Sequence, residues 1–274
     1  MNTQKFFESH PVFRFDEFEE FIKNRGYETT EQNAHSILHH HLKKGFLLNV
    51  RRGFYVVNYG NSYQPENIDP RLLAGRISED AVLSYHTALE SHGLAYSDFN
   101  RHVYFTKKQI RDFEFQGQTY KGVFPPAEVS EKAYLTEVEE IKILDLPIKR
   151  TTLERTIVDV LDKPDFSGGW EEVWRSLERV TIFNVKAAIA YALKLGKAST
   201  VGKLGYFLDQ RPDYLKIEES ILSPLISNAP KGPYCIDKSL SKKSGSTYIQ
   251  RWGIVVPNYL HEKQWEEPEH DIDY

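Results

Sequence analysis

TEQNAHSILHHHLKKGFLLNVRRGFYVVN, residues 30–58, sets the expected architecture of the amino end. Thr29 and Gln32 have the spacing of a helix-opening cap, and Gly45 stands where a helix ends in a left-handed residue. Between them Ala34, Ile37, Leu38 and Leu42 recur at helical spacing on one side. The other side carries Gln32, Asn33, Ser36, His39, His40 and Lys43. Two short β-type runs, 46–50 and 54–57, then flank Arg51-Arg52-Gly53 as a hairpin. No acid occurs from Gln32 to Tyr63, and Lys43, Lys44, Arg51 and Arg52 are the formal charges there.

The first 31 residues hold Glu8, Asp16, Glu17, Glu19, Glu20, Glu28 and Glu31 against Lys5, Arg14, Lys23 and Arg25. Charge is thus sorted within one small region, acids early and bases late, as a surface approaching phosphates requires. Residues 3–9 and 15–24 read as two further helices, the first stopped at His10 before Pro11. Helix, helix, helix, hairpin is the order of a winged helix-turn-helix. In such a unit Gln32, Asn33, Ser36 and His40 reach base edges, Lys43, Lys44, Arg51 and Arg52 clamp phosphates, and His39 lies on the same DNA-binding face. The bland alternative is a small helical domain with a solvated third helix.

The rest divides at the polar, Gly- and Pro-punctuated stretch 61–70. The expected organisation is residues 1–60 as the winged unit, 61–70 as a linker, 71–258 as a larger α+β domain, and 259–274 as an acidic tail. Helices are expected over 71–77, 82–93, 151–161, 170–179, 185–195, 199–208 and 217–225. Strands are expected over 101–106, 112–116, 119–124, 133–143, 235–240 and 249–256. Strands followed by a helical run predict an antiparallel sheet with helices segregated around it.

Composition is that of a globular protein: 274 residues, 40% hydrophobic and 27% charged, with a net charge of −4. Cys235, the single cysteine, excludes an internal disulfide and a cysteine-rich zinc site. The absence of a signal-like apolar run and of any spanning segment predicts a cytoplasmic protein with no membrane association.

Several chemical motifs are weak. His35 and His39 stand one turn apart, but a metal site needs a third ligand and His39-His40-His41 fan out around the helix. Gly196-Lys197-Ala198-Ser199-Thr200 lacks the earlier glycine and the preceding strand of a phosphate loop. Gly245-Ser246 with Asp271 and Asp273 gives only scattered pieces of a nucleotidyltransferase site. His86 with Glu90, and Arg155 with Asp159, share helix faces and read as structural pairs before they read as acid–base pairs. Trp170, Trp174, Leu177 and Val180 read as core. No catalytic residue, cofactor or metal is expected, and the chain reads as non-enzymatic.

Four segments together resemble the AbiEi antitoxin family: NVRRGFYVVN (49–58), LSYHTALESHGLA (83–95), RTTLERTIVDVLDKPDFSGGWEEVW (150–174) and QRWGIVVP (250–257). The resemblance spans about residues 5–257. It implies the antitoxin and repressor half of an AbiE-type abortive-infection module. Its winged helix would bind inverted repeats in double-stranded promoter DNA. Its C-terminal domain would counteract a nucleotidyltransferase-like toxin by type IV action, without a stable complex. Tyr85, His86, Arg155 and Asp159 lie in the matching segments and are the antitoxic candidates. The sequence departs from the family at Gly253, where asparagine is usual after tryptophan, and in the histidine-rich recognition helix. Two other readings are a ligand-responsive winged-helix regulator with no toxin partner, and an enzyme using His86, Glu90 and Asp159.

Overall fold

The computed structural model describes residues 3–24, 31–58, 68–127, 136–211 and 217–265. They form a mixed α+β protein. The chain divides into two compact units, the first made of residues 1–87, 99–125 and 138–151, the second of residues 88–98, 126–137 and 152–274. These boundaries do not match those expected from the sequence. Most of the expected linker, like the 266–274 part of the expected tail, lies outside the described residues. Its end does not read as linker: Ile68 is buried, and the Asp69 carboxylate accepts from the Arg71 backbone N–H at 2.9 Å.

The first unit opens with α1 (Gln4–Ser9), β1 (Val12–Arg14), α2 (Phe15–Lys23), α3 (Glu31–Lys43), β2 (Leu47–Arg51) and β3 (Phe54–Val57). The three strands pair antiparallel in the order β1-β3-β2. Strand β1 was not expected; three residues after a proline carry no readable period. The hairpin is tight, with Gly53 at φ +74° allowing the turn and its carbonyl oxygen accepting from the Phe15 N–H at 2.8 Å.

Strand β3 is buried along its whole length because both its faces are covered. Tyr55 and Val57 pack with Phe6, Phe13, Phe18, Ile22 and Leu38 of the helical side. Phe54 and Val56 pack with Val12 and Val50 against α4 (Pro70–Arg76) and the unit's larger sheet. The amino-terminal elements therefore share a core with α4 and that sheet.

The larger sheet contains β4 (Val82–Leu83), β5 (Arg101–Phe105), β6 (Phe113–Phe115), β7 (Gln118–Val123), β8 (Val138–Ile143) and β9 (Leu146–Thr151), in the order β6-β7-β5-β4-β9-β8. It is mixed rather than antiparallel: β5 runs parallel to β7 and β4 parallel to β9. Residues 82–83 belong to β4, not to the expected helix, which starts only at Tyr85 as α5 (Tyr85–Ser91). Arg76 ties the small sheet to the large one. Its Nε donates to the Val12 carbonyl at 3.2 Å and Nη1 to that of Pro147 at 3.3 Å, and it forms an ion pair with Glu17.

The second unit is mainly helical: α6 (Leu153–Asp162), a 3₁₀ turn over Pro164–Ser167, α7 (Trp170–Glu178), α8 (Val185–Leu195), α9 (Ala198–Asp209) and α10 (Glu219–Asn228). Trp170, Trp174, Leu177 and Val180 are core residues, as their spacing predicts. The strand expected over 235–240 is instead a two-residue strand, β10 (Tyr234–Cys235), followed by α11 (Lys238–Ser244) with Asp237 as its cap. The strand expected over 249–256 is divided into β11 (Ser246–Ile249) and β12 (Ile254–Pro257), and α12 (Asn258–His261) closes the described part. The break between β11 and β12 holds the buried Trp252, whose Nε1 donates to Asp209 at 2.6 Å and whose ring lies against Gly205. Gly253 has φ +61°, a conformation open to asparagine and glycine. A Cβ there would strike the Pro230 carbonyl, so only glycine fits this chain. Among the described residues no helix is long and apolar enough to cross a membrane.

Candidate nucleic-acid interface

Helix α3 buries Ala34 and Leu38 against α1 and α2, and that fixes which face looks outward. Asn33, Ser36, His39, His40, Lys43 and Lys44 are exposed or half-exposed on it. The side chain of Gln32 lies outside the described residues. His35 stacks on Phe15, ring centres 4.1 Å apart and 13° from parallel. His41 is half-buried edge-on to Phe7, and burial, then His40 and Lys44, hold its pKa below the ordinary histidine value. At neutral pH it adds no charge to the face. Among the described residues no cluster of three ligands for a metal occurs.

Three acids of α2 are engaged elsewhere. Glu17 accepts from the Arg14 backbone N–H at 2.7 Å and pairs with Arg76; Asp16 pairs with Arg14 at 3.2 Å and Glu19 with Lys23 at 3.0 Å. Among the described residues none pairs with Lys43, Lys44 or Arg52. The two hairpin arginines differ. Arg52 is exposed at the turn, whereas the Arg51 guanidinium lies 5.6 Å from the centre of the Phe113 ring on β6. Arg51 Nη1 is buried with no hydrogen-bond partner among the described residues. The sequence placed both arginines at the outer edge; the structure places only Arg52 there.

The antitoxic candidates have a different character. Tyr85 and His86 fall in the first unit, Arg155 and Asp159 in the second. Tyr85 opens α5 at φ +52°, a left-handed conformation a bulky side chain seldom adopts, with its ring edge-on to Phe105. The buried His86 ring stacks on Phe99 at 3.9 Å. Arg155 is 0% and Asp159 1% exposed, and they form an ion pair at 3.2 Å. Arg155 Nη1 also donates to the Thr136 carbonyl at 3.0 Å, and the Tyr191 hydroxyl donates to Asp159 at 2.8 Å. Burial pushes Asp159 up to about 6 against the pull of Arg155, so the carboxylate is ionised at neutral pH. All four residues are thus interior, and a partner protein cannot touch them in this conformation.

Lys203 was not among the residues expected to matter. This lysine, nine-tenths covered on α9, donates to the Leu161 carbonyl at 3.0 Å, lies 5.1 Å from the Trp170 ring centre, and is pushed down to about 8 by burial. Its position in GKASTVGKLGYF gave only a generic helical lysine.

No family model matches the chain, and no curated protein matches it. Among solved structures it is similar to one described as "Crystal structure of RV2827C protein from Mycobacterium tuberculosis". The TM-score is 0.55 at 13% identity, over 93% of this chain and 90% of that one. The likeness is one of fold.

Proposed function

We propose that the chain is a winged-helix DNA-binding protein that represses its own operon. In this reading α3 enters the major groove of promoter inverted repeats with Asn33, Ser36, His39 and His40 facing base edges. Lys43, Lys44 and Arg52 reach phosphates or the minor groove. One observation carries the proposal: from Asn33 on, the outward face of α3 and the hairpin tip hold no acid, while Asp16, Glu17 and Glu19 of α2 are drawn into pairs with Arg14, Lys23 and Arg76. The order helix, strand, helix, helix, strand, strand supports it. The resemblance of the four quoted segments supports the further proposal that the chain is an antitoxin against a nucleotidyltransferase-like toxin, acting without a stable complex and without enzymatic activity of its own.

The test is binding of the full chain to duplex DNA from upstream of its own coding sequence, over a range of salt. Replacing Lys43, Lys44 and Arg52 together by glutamine is expected to lower the salt slope by about 3, near 0.9 per lost phosphate contact. An unchanged slope overturns the docking geometry. For the antitoxin part, co-expression with the adjacent gene is expected to relieve growth arrest, and arrest that persists counts against it.

A ligand-responsive regulator is the second reading. It is favoured by a cavity of about 480 Å³ in the second unit, lined by Tyr96, Arg175, Glu178, Arg179 and Trp265, within the usual size of small-molecule sites. A metabolite that alters promoter affinity, with no toxin gene adjacent, would decide for it.

A further inference from the structure

Between Ser220 and His261 the chain carries Lys231, Lys238, Lys242, Lys243 and Arg251 against the single acid Asp237. In a chain with more acids than bases, this is a second charge-sorted stretch, and it lies wholly in the second unit.

Its structure shows what is committed and what is open. The Asp237 carboxylate caps α11, accepting from the Ser239 and Leu240 backbone N–H groups at 2.8 and 2.9 Å. Arg251 is held by Glu219 at 2.7 Å. Leu240, Ser241 and Ser244 turn inward, which leaves Lys238, Lys242 and Lys243 on the more open side. Among the described residues none pairs with these three lysines.

Helix α11 is anchored to β10 of the β10-β12-β11 sheet and to α12. Ser241 Oγ lies 3.3 Å from Cys235 Sγ, and the Tyr259 N–H donates to Ser244 Oγ at 3.2 Å. Cys235, Val255 and Tyr248 are direct cross-strand partners in one row, so their side chains share the sheet face that α11 lies on. Tyr248, at the β11 end of that row, is 47% exposed. The α11–β11 segment therefore exposes three lysines with no ion-pair partner among the described residues and, on the strand that follows, an open aromatic ring.

We infer that this face binds single-stranded nucleic acid, the lysines of α11 holding phosphates and Tyr248 stacking on a base. Lysines placed this way are point charges and read no sequence. The tyrosine adds what a duplex cannot use, a ring for an unstacked base. The inference goes beyond promoter recognition and stands independently of it.

The test uses the full chain carrying Lys43→Gln, Lys44→Gln and Arg52→Gln, so that the cations of α3 and the hairpin contribute no phosphate contact. Anisotropy is read with a labelled single-stranded RNA of about 12 nucleotides, its DNA equivalent and the matching duplex, within the usual site size of such binders. Tyr248→Ala is expected to weaken single-strand binding roughly tenfold with an unchanged salt slope and little effect on the duplex. Replacing Lys238, Lys242 and Lys243 by glutamine is expected to lower the single-strand slope by about 2, near 0.7 per phosphate. These four side chains lie at the surface, so an unchanged thermal midpoint verifies that the fold survives. No loss with Tyr248→Ala, or equal loss for the duplex, overturns single-strand recognition. Polyglutamate competing as well as the oligonucleotide would identify an acidic-protein surface instead, and also overturns it.

Discussion

The outward face of α3 and the Arg155–Asp159 pair are both built from charged or polar residues at helical spacing, yet they sit at opposite limits of hydration. Lys43 and Lys44 are exposed and unpaired among the described residues, while Arg155 and Asp159 are sealed from water and matched to each other, to Thr136 and to Tyr191. The first set can change partners at little cost to the fold. The second cannot, because separating a buried pair leaves a charge with no solvent to receive it. Charge spacing in a sequence therefore does not distinguish a binding surface from an interior strut; the neighbours of each residue do.

The largest effect expected from this contrast is that of Arg155→Met. It removes the cation that keeps the buried Asp159 ionised, so the carboxyl must take up a proton or stay charged without a counter-ion, and is expected to cost about 3–5 kcal/mol, lowering the thermal midpoint by roughly 10 °C. Adding Asp159→Leu is expected to restore most of the loss. A single variant as stable as the parent would erase the distinction at once.

Lys203 offers a second interior charge with a pH signature. Its folded-state value of about 8 lies below the ordinary 10.5, so between those limits the unfolded chain binds more protons. Raising the pH through that window should stabilise the native chain relative to Lys203→Met, by up to about 3 kcal/mol, with no further change below pH 8. Denaturant unfolding at about pH 7 and about pH 10.5 measures it, and a flat difference would mean that Lys203 is hydrated.

The smallest effect separates Arg51 from Arg52. Arg51→Ala loses the Phe113 contact and is expected to cost about 1 kcal/mol of stability, leaving the salt slope of duplex binding alone. Arg52→Ala is expected to keep stability within about 0.5 kcal/mol and lower the slope by about 0.9. Equal slope changes for the two would show that Arg51 leaves Phe113 when DNA binds.

The sequence made legible what a single element determines. The period of 185–195 marks α8 at its observed ends, and the apolar side of α3 is the buried one. Long-range pairing was not legible. β4 is two residues long and merges with the helix after it, and β9 contains Pro147, which reads as a break. The parallel pairs β5·β7 and β4·β9 join segments whose own patterns carry no direction. The fate of Arg51 depends on Phe113, a residue of another sheet. The same holds for the interior position of Tyr85, His86, Arg155 and Asp159, whose motifs show spacing but not depth.

Because alternate side chains of β3 feed two different cores, the head of this molecule has no dry underside of its own. Produced alone as residues 1–60, it would turn Val50, Phe54 and Val56 toward solvent and is set to self-associate. Equally, residues 70–274 without it would lose a wall of the first unit. Any engineering that exchanges the amino-terminal elements must therefore carry α4 and the large sheet along with them.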